Sequence, residues 1–495
     1  MPRGLPALCL VLMLNAEAAL AAEPPGVALF RQRFEDATLR VDYVRVGDAK
    51  EESASVDALY KQGAWAGSRV HTVDPFPVGR SVVELRDPRS GELWFSRRFD
   101  SYFGEYRTTG PAENGVKRAY HESALVPFPK RPARLLLKSR GKDGADRTVM
   151  ESTIDPEDVT IRREALAPGV TVFPLHNGGD PHACVDVAIL AEGYTEAERD
   201  KLKRDLDRYA KLLLGHEPFA AEKHRFNLYG VWKPSAESGC DEPSRGVWKV
   251  TSLGVSFDAL GSERYLLTED NRALRDVAAH APYDALYVMV NHPRYGGGGI
   301  YNLFCTFTSD NQWSPYIFLH EFGHTFAALA DEYYTSSVAY NEFYPKGVEP
   351  PEFNITALLD PSRPKWADLV TPGTAVPTPW EKAGYDESDI AYQKIREETN
   401  AAIAKAMRGG APKADVEALK EKSERLSLEH AKESDAYLAR SKFVGQVGAF
   451  EGAGYASKGL YRPALDCIMF SKGTKPFCPV CARALRQVIG RHGEG

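Results

Sequence analysis

The run His320-Glu321-Phe322-Gly323-His324 holds the residues best equipped for chemistry. Two histidines four apart on an α-helix differ by about 40° in azimuth, so both imidazoles can reach one metal ion. The carboxylate beside the first can then lie against a water held on that metal. Such a set suits hydrolysis, because the cation acidifies the water and polarises a carbonyl while Glu321 moves the proton. The sequence predicts a helix here, with Ser314 as N-cap, Pro315 in the first helical position and Tyr316, Ile317 and Leu319 continuing the turn.

A catalytic zinc takes three protein ligands and leaves a fourth position for water. Asp331 follows His324 by seven residues, which is nearly the same azimuth but about 10.5 Å along a straight helix. That is too far for one metal, so the chain must bend before it. Asp331 is the expected third ligand, with Glu332 or a residue elsewhere as alternatives; an unbroken helix would leave Asp331 to orient the ligands instead. Gly296 to Gly299 is no phosphate loop, since no Gly-Lys-Ser/Thr follows.

The elements that must position this site follow from periodicity. Between residues 25 and 168, short β-forming runs separated by turn residues, such as Leu39–Tyr43, Ser81–Leu85, Leu93–Phe95, Ala133–Leu137 and Val159–Ile161, predict a β-sandwich. His71 and His121 stand alone there and read as surface or hydrogen-bonded residues. From 169 to 495 the pattern becomes that of an α/β core. Val185–Leu190 is a continuous apolar strand, Thr195-Glu196-Ala197-Glu198 a capping box, and Leu202, Leu206, Tyr209 and Leu213 an apolar helical stripe with Gly215 past its end. Phe226–Trp232 and Ala285–Val290 read as further strands. In residues 381–440, 24 of 60 side chains are charged, and Gly409-Gly410-Ala411-Pro412 divides two helical stretches. This reads as a solvated helical hairpin inserted in the catalytic domain, or as an arm for a partner.

The flanks of the histidine motif carry a resemblance. His320 to Tyr333, with Leu329-Ala330-Asp331-Glu332-Tyr333 at its end, is similar to the signature of the IgA-peptidase-like zinc metallopeptidase family. So are Gly297-Gly298-Gly299 with Cys305-Thr306, Phe450 to Tyr455, Tyr461-Arg462-Pro463 and Cys467-Ile468-Met469. The resemblance spans most of the chain apart from 381–440. It implies a metzincin-like fold, a Zn2+ cofactor held by His320, His324 and Asp331, Glu321 as general base, and a protein or peptide substrate. It also implies a methionine turn at Met469 beneath the metal, and an edge strand within Ile300–Thr308 that pairs with extended substrate, a plain buried strand being the other reading. Tyr455 and Tyr461, near that turn, are candidates to hydrogen-bond the oxyanion. Metzincin-type sites bend the chain with a glycine three residues before the third ligand; Ala328 stands there instead. An exported glycan- or protein-binding molecule with a structural or degenerate metal site is the alternative function, and the intact Glu321 argues against degeneracy.

Residues 1–22, with Arg3, the apolar Leu5–Leu14 run and small residues at 18–22, read as a signal peptide, so a periplasmic or extracellular protein with no membrane span is expected. Export leaves six cysteines for the mature chain. Cys467 with Cys478-Pro479-Val480-Cys481 is similar to the arrangement by which archaemetzincins hold a second zinc with four cysteines. Only three are local here, so a disulfide from Cys467 to Cys478 or Cys481 is expected rather than a second metal. A length of 495 residues requires more than one core, and a net charge of -6 gives no basic field for nucleic acid.

Overall fold

A computed structural model describes residues 24–335 and 343–493; the expected signal peptide lies outside the described residues. Helix α1 (Pro25–Arg33) leads into seven strands: β1 (Phe34–Gly47), β2 (Glu52–Lys61), β3 (Ser81–Arg86), β4 (Leu93–Phe99), β5 (Arg118–Pro129), β6 (Ala133–Arg140) and β7 (Asp146–Ile154). Two short helices, α2 (Tyr102–Tyr106) and α3 (Gly110–Glu113), interrupt the run before β5. These strands form two antiparallel sheets, ordered β2-β1-β5 and β4-β3-β6-β7. Period-two alternation turns Leu39, Val41 and Tyr43 of β1 toward Val83, Leu85, Trp94, Leu135 and Leu137 of the other sheet, making one buried core. Arg40 and Asp42, on the opposite face of β1, are buried as well and joined by two 2.7 Å hydrogen bonds. Val159–Ile161 is not a strand. Val159 is 93% exposed in a turn organised by Asp158, whose carboxylate accepts the Thr160 N–H at 2.8 Å.

The rest of the chain is built on a six-stranded sheet. Its elements are β8 (Thr171–Asn177), β9 (Val185–Glu192), α4 (Arg199–Gly215), β10 (Phe226–Trp232), a two-residue pair β11 (Val255–Ser256) and β12 (Leu267–Thr268), α5 (Asn271–Ala278), β13 (Ala285–Val290), β14 (Gly297–Ile300), β15 (Phe304–Thr308) and α6 (Ser314–Ala327). The sheet order is β14-β15-β13-β9-β10-β8, with the four central strands parallel and both edge strands antiparallel. Every residue of β9 is buried, as a strand covered on both faces requires. Val187 and Ile189 pack with α4 and α6, whereas Ala188 and Leu190 pack with α5. The capping box at Thr195 is formed, but its first turn is a 3-10 helix, and Gly215 is the last residue of α4 instead of lying past it.

Beyond α6 come α7 (Lys382–Arg408) and α8 (Lys413–Leu438), which pack on each other across Gly409–Pro412. The hairpin β16 (Val447–Ala453) and β17 (Ala456–Ala464) and the C-terminal helix α9 (Pro479–His492) complete the chain. Among the described residues no helix is long and apolar enough to cross a membrane. The fold is thus mixed α/β, with several sheets and a β-rich N-terminal region.

Candidate functional site

Helix α6 carries the histidine motif across the sheet. Trp313 is its N-cap, so Ser314 is the first helical residue; the Ser314 hydroxyl still accepts the Asn311 N–H at 3.0 Å from within the turn. The helix stops at Ala327 because Ala328 adopts the left-handed conformation, φ 47° and ψ 39°. The reversal is held by the Leu329 N–H on Gly323 O at 3.1 Å and by the Ala328 methyl buried with Val78 and Tyr301. Alanine here pays about 1–2 kcal/mol that a glycine would not. The bend brings Asp331 back over the helix.

His320 Nε2 and His324 Nε2 stand 3.1 Å apart, and Asp331 Oδ1 lies 3.0 and 3.2 Å from them. A tetrahedral ion with bonds of 2.0–2.1 Å separates its ligand atoms by about 3.3 Å, so these donors fit one zinc. Both imidazoles are oriented from behind, His320 Nδ1 by the Ile468 carbonyl at 3.0 Å and His324 Nδ1 by the Leu329 carbonyl at 2.5 Å. That leaves each Nε2 lone pair for a metal. Asp331 Oδ1 is buried without a hydrogen-bond partner, as a ligand oxygen would be, while Oδ2 accepts the Tyr455 hydroxyl at 2.6 Å. Burial works to raise the Asp331 pKa, but the two histidines outweigh it and hold the carboxyl well below its usual range. Burial raises that of Glu321 despite the same histidines, which suits a proton acceptor.

The Glu321 carboxylate lies on bare backbone. A Cβ at Gly297 would stand 3.2 Å from Oε1, and one at Gly299 would stand 3.1 Å from Oε2 and 2.7 Å from the Glu321 carbonyl. The glycines therefore let β14 run directly beneath the motif. The edge strand expected within Ile300–Thr308 is not there: β15 (Phe304–Thr308) lies between β14 and β13, and β14, ending at Ile300, is the sheet edge. Gly297 already exchanges backbone hydrogen bonds with Arg264 and Leu266, and by alternation Gly299 is the next residue whose N–H and C=O face outward.

The cleft above has a cavity volume of about 110 Å³. Its walls include residues that spacing could not reveal: Arg80 and Glu105 from the N-terminal region, Arg264, and Tyr333, whose hydroxyl accepts Arg264 Nη2 at 3.1 Å. Tyr455 is in the wall, at the β16–β17 turn. Tyr461 is not; it pairs through its backbone with Thr356. Glu332, the alternative ligand, is grouped not with the histidines but with three cysteines, its Oε1 3.3 Å from Cys481 Sγ.

Residues 173–489 match the family model described as IgA Peptidase M64, and residues 29–150 match the model for the Peptidase M64 N-terminus. The chain belongs to the IgA peptidase M64 family. Membership of this peptidase family gives the chain a protein or peptide substrate class. Comparison with curated proteins finds no match. In this M64 chain all six cysteines of the described residues are free thiols. Cys467 Sγ and Cys481 Sγ are 3.9 Å apart, nearly twice a disulfide length, so the expected bridge is absent.

Proposed function

We propose that this M64 chain is an exported, zinc-dependent endopeptidase. In this reading a signal peptide at 1–22 is removed, a β-sandwich occupies 25–168, and a metzincin-like catalytic domain spans 169–495 with 381–440 as a helical insertion. The carrying observation is the triangle of His320 Nε2, His324 Nε2 and Asp331 Oδ1 beside Glu321, above the glycine strand β14.

Zinc, when bound by those three residues, lowers the pKa of a coordinated water toward about 7 and polarises the scissile carbonyl. Glu321 takes the proton of the attacking water and delivers it to the leaving amine, at the raised pKa its burial provides. The substrate backbone extends along β14, with Gly299 offering its outward N–H and C=O. Tyr455 holds Asp331 in its ligating orientation through the 2.6 Å bond to Oδ2. Tyr333, backed by Arg264, donates to the oxyanion. This assigns Tyr455 to positioning, leaving the oxyanion to a tyrosine within the motif itself.

The test compares zinc content and casein cleavage for wild type and Glu321→Ala. Retained zinc with kcat/KM lower by about 10²–10⁴-fold is expected. Equal cleavage by the two proteins would overturn the mechanism.

A further inference from the structure

Behind the cleft lies a second cluster that the peptidase chemistry does not use. Glu332, Cys467, Cys478 and Cys481 are all buried, and one ligand atom from each lies within 4.8 Å of the others. Three observations point to a cation. First, the 3.9 Å between Cys467 Sγ and Cys481 Sγ, and the 3.3 Å between Cys481 Sγ and Glu332 Oε1, match the edges of a tetrahedron around zinc; Zn–S bonds of about 2.3 Å place two sulfurs about 3.8 Å apart. Second, Glu332 is 0% exposed and its Oε2 has no hydrogen-bond partner, while its Oε1 lies 3.3 Å from Cys481 Sγ. A buried carboxylate with one oxygen left unsatisfied is costly, and a divalent ion removes that cost. Third, backbone amides are aimed at the sulfurs: Cys478 N–H on Cys467 Sγ at 3.3 Å and Cys481 N–H on Cys478 Sγ at 3.5 Å. Cys478 is also the N-cap of α9, where the helix end favours a thiolate.

We propose that Glu332, Cys467, Cys478 and Cys481 bind a second, structural zinc ion. Three sulfurs and one carboxylate oxygen close the tetrahedron, leaving no position for water, so this ion has no catalytic role. Asn354 orients the carboxylate, donating Nδ2 to Glu332 Oε1 at 3.0 Å and accepting the Ala330 N–H at 2.7 Å. The ion ties the loop carrying Asp331 to the Cys467–Met469 turn, whose Ile468 carbonyl orients His320.

The test measures zinc per chain in the full protein after dialysis. Two ions are expected for wild type and one for His320→Ala/His324→Ala, which lacks the first site and so separates this proposal from the peptidase reading. Loading the histidine variant with Co2+ should give thiolate-to-cobalt charge-transfer absorption, lost when Cys481→Ser is added. Glu332→Gln should let a chelator strip this ion at least tenfold faster, whether or not the cysteine variant folds. One zinc in wild type and none in the histidine variant would overturn the proposal, as would a Cys467 disulfide found by mass spectrometry.

Discussion

Replacing Gly299 with alanine tests whether the position of β14 sets catalysis. The new Cβ would stand 2.7 Å from the Glu321 carbonyl and 3.0 Å from His324 Cβ, where ordinary contact begins at 3.4 Å. The carbonyl belongs to the helix backbone and cannot rotate away, so the strand must retreat by about 0.7 Å. Overpacking of this kind costs about 1–3 kcal/mol, enough to lower the unfolding midpoint by a few degrees. The catalytic effect should be larger. A displacement near 1 Å between a docked backbone and the reacting groups costs up to about 10²-fold, so kcat/KM should fall by about 10–100-fold. Zinc content should not change, because no metal ligand lies on β14. Casein cleavage, zinc analysis and thermal unfolding together read these outcomes. Gly63→Ala, where a Cβ meets nothing within 4 Å, is the control and should match wild type. Full activity in Gly299→Ala would refute the assignment of β14 as the substrate-bearing edge.

Asp331→Ala should abolish zinc binding at the histidine site while the thiol site keeps its ion; unchanged total zinc would remove Asp331 from the ligand set. Tyr455→Phe should weaken zinc retention about 10–100-fold by freeing Asp331 Oδ2, whereas Tyr333→Phe, which removes a hydroxyl that also reaches Asp331, should lower kcat by a larger factor than it weakens zinc retention; a chelator-competition assay beside steady-state kinetics separates the two. A pH effect arises outside the cleft. Burial first, and then the neighbouring charge of Asp284, raise the Asp186 pKa above the carboxylate range, so the folded chain keeps a proton that the unfolded chain releases. Its stability contribution is present below the unfolded pKa and is lost as pH rises through the raised folded value. Wild type should therefore lose more of its unfolding midpoint than Asp186→Asn between about pH 5 and about pH 8, and equal losses would count against the pair.

The two histidines and Glu321 were legible because a helix fixes their geometry within five residues. The bend that delivers Asp331 was inferred only from distance; its agent, a left-handed Ala328, is a conformation that alanine does not advertise. Gly297–Gly299 gives no strand signal in the sequence because glycine weakens isolated strands, whereas here the missing side chains admit the helix. Val159 was misplaced because its β propensity is intrinsic while the Asp158 turn is chemical. Tyr455 and Tyr461 look equivalent in sequence. Only the turn at Tyr455, with φ of 64°, carries its hydroxyl to Asp331. The thiol cluster was half-visible: three cysteines were local, but Glu332 joins them across more than 130 residues, a separation no spacing rule reaches.

Asp331 and Glu332 gain their meaning from being adjacent. In extended chain, successive side chains point to opposite faces, so one residue turns to the histidines and the next to the thiols. The backbone between them is pinned by the Glu332 N–H on the Met469 carbonyl at 2.8 Å, and Met469 Sδ would stand 2.9 Å from a Cβ at Gly323 of the histidine helix. Any shift of the loop toward one cluster withdraws a carboxylate from the other. The precision demanded of Asp331, with its oxygen 3.0 and 3.2 Å from two imidazoles, is supplied by a segment held from the far side. That division explains why a loop leaving a helix through a strained alanine can still hold Asp331 against the two histidines: its conformation is set by anchors on both faces, not by local propensity.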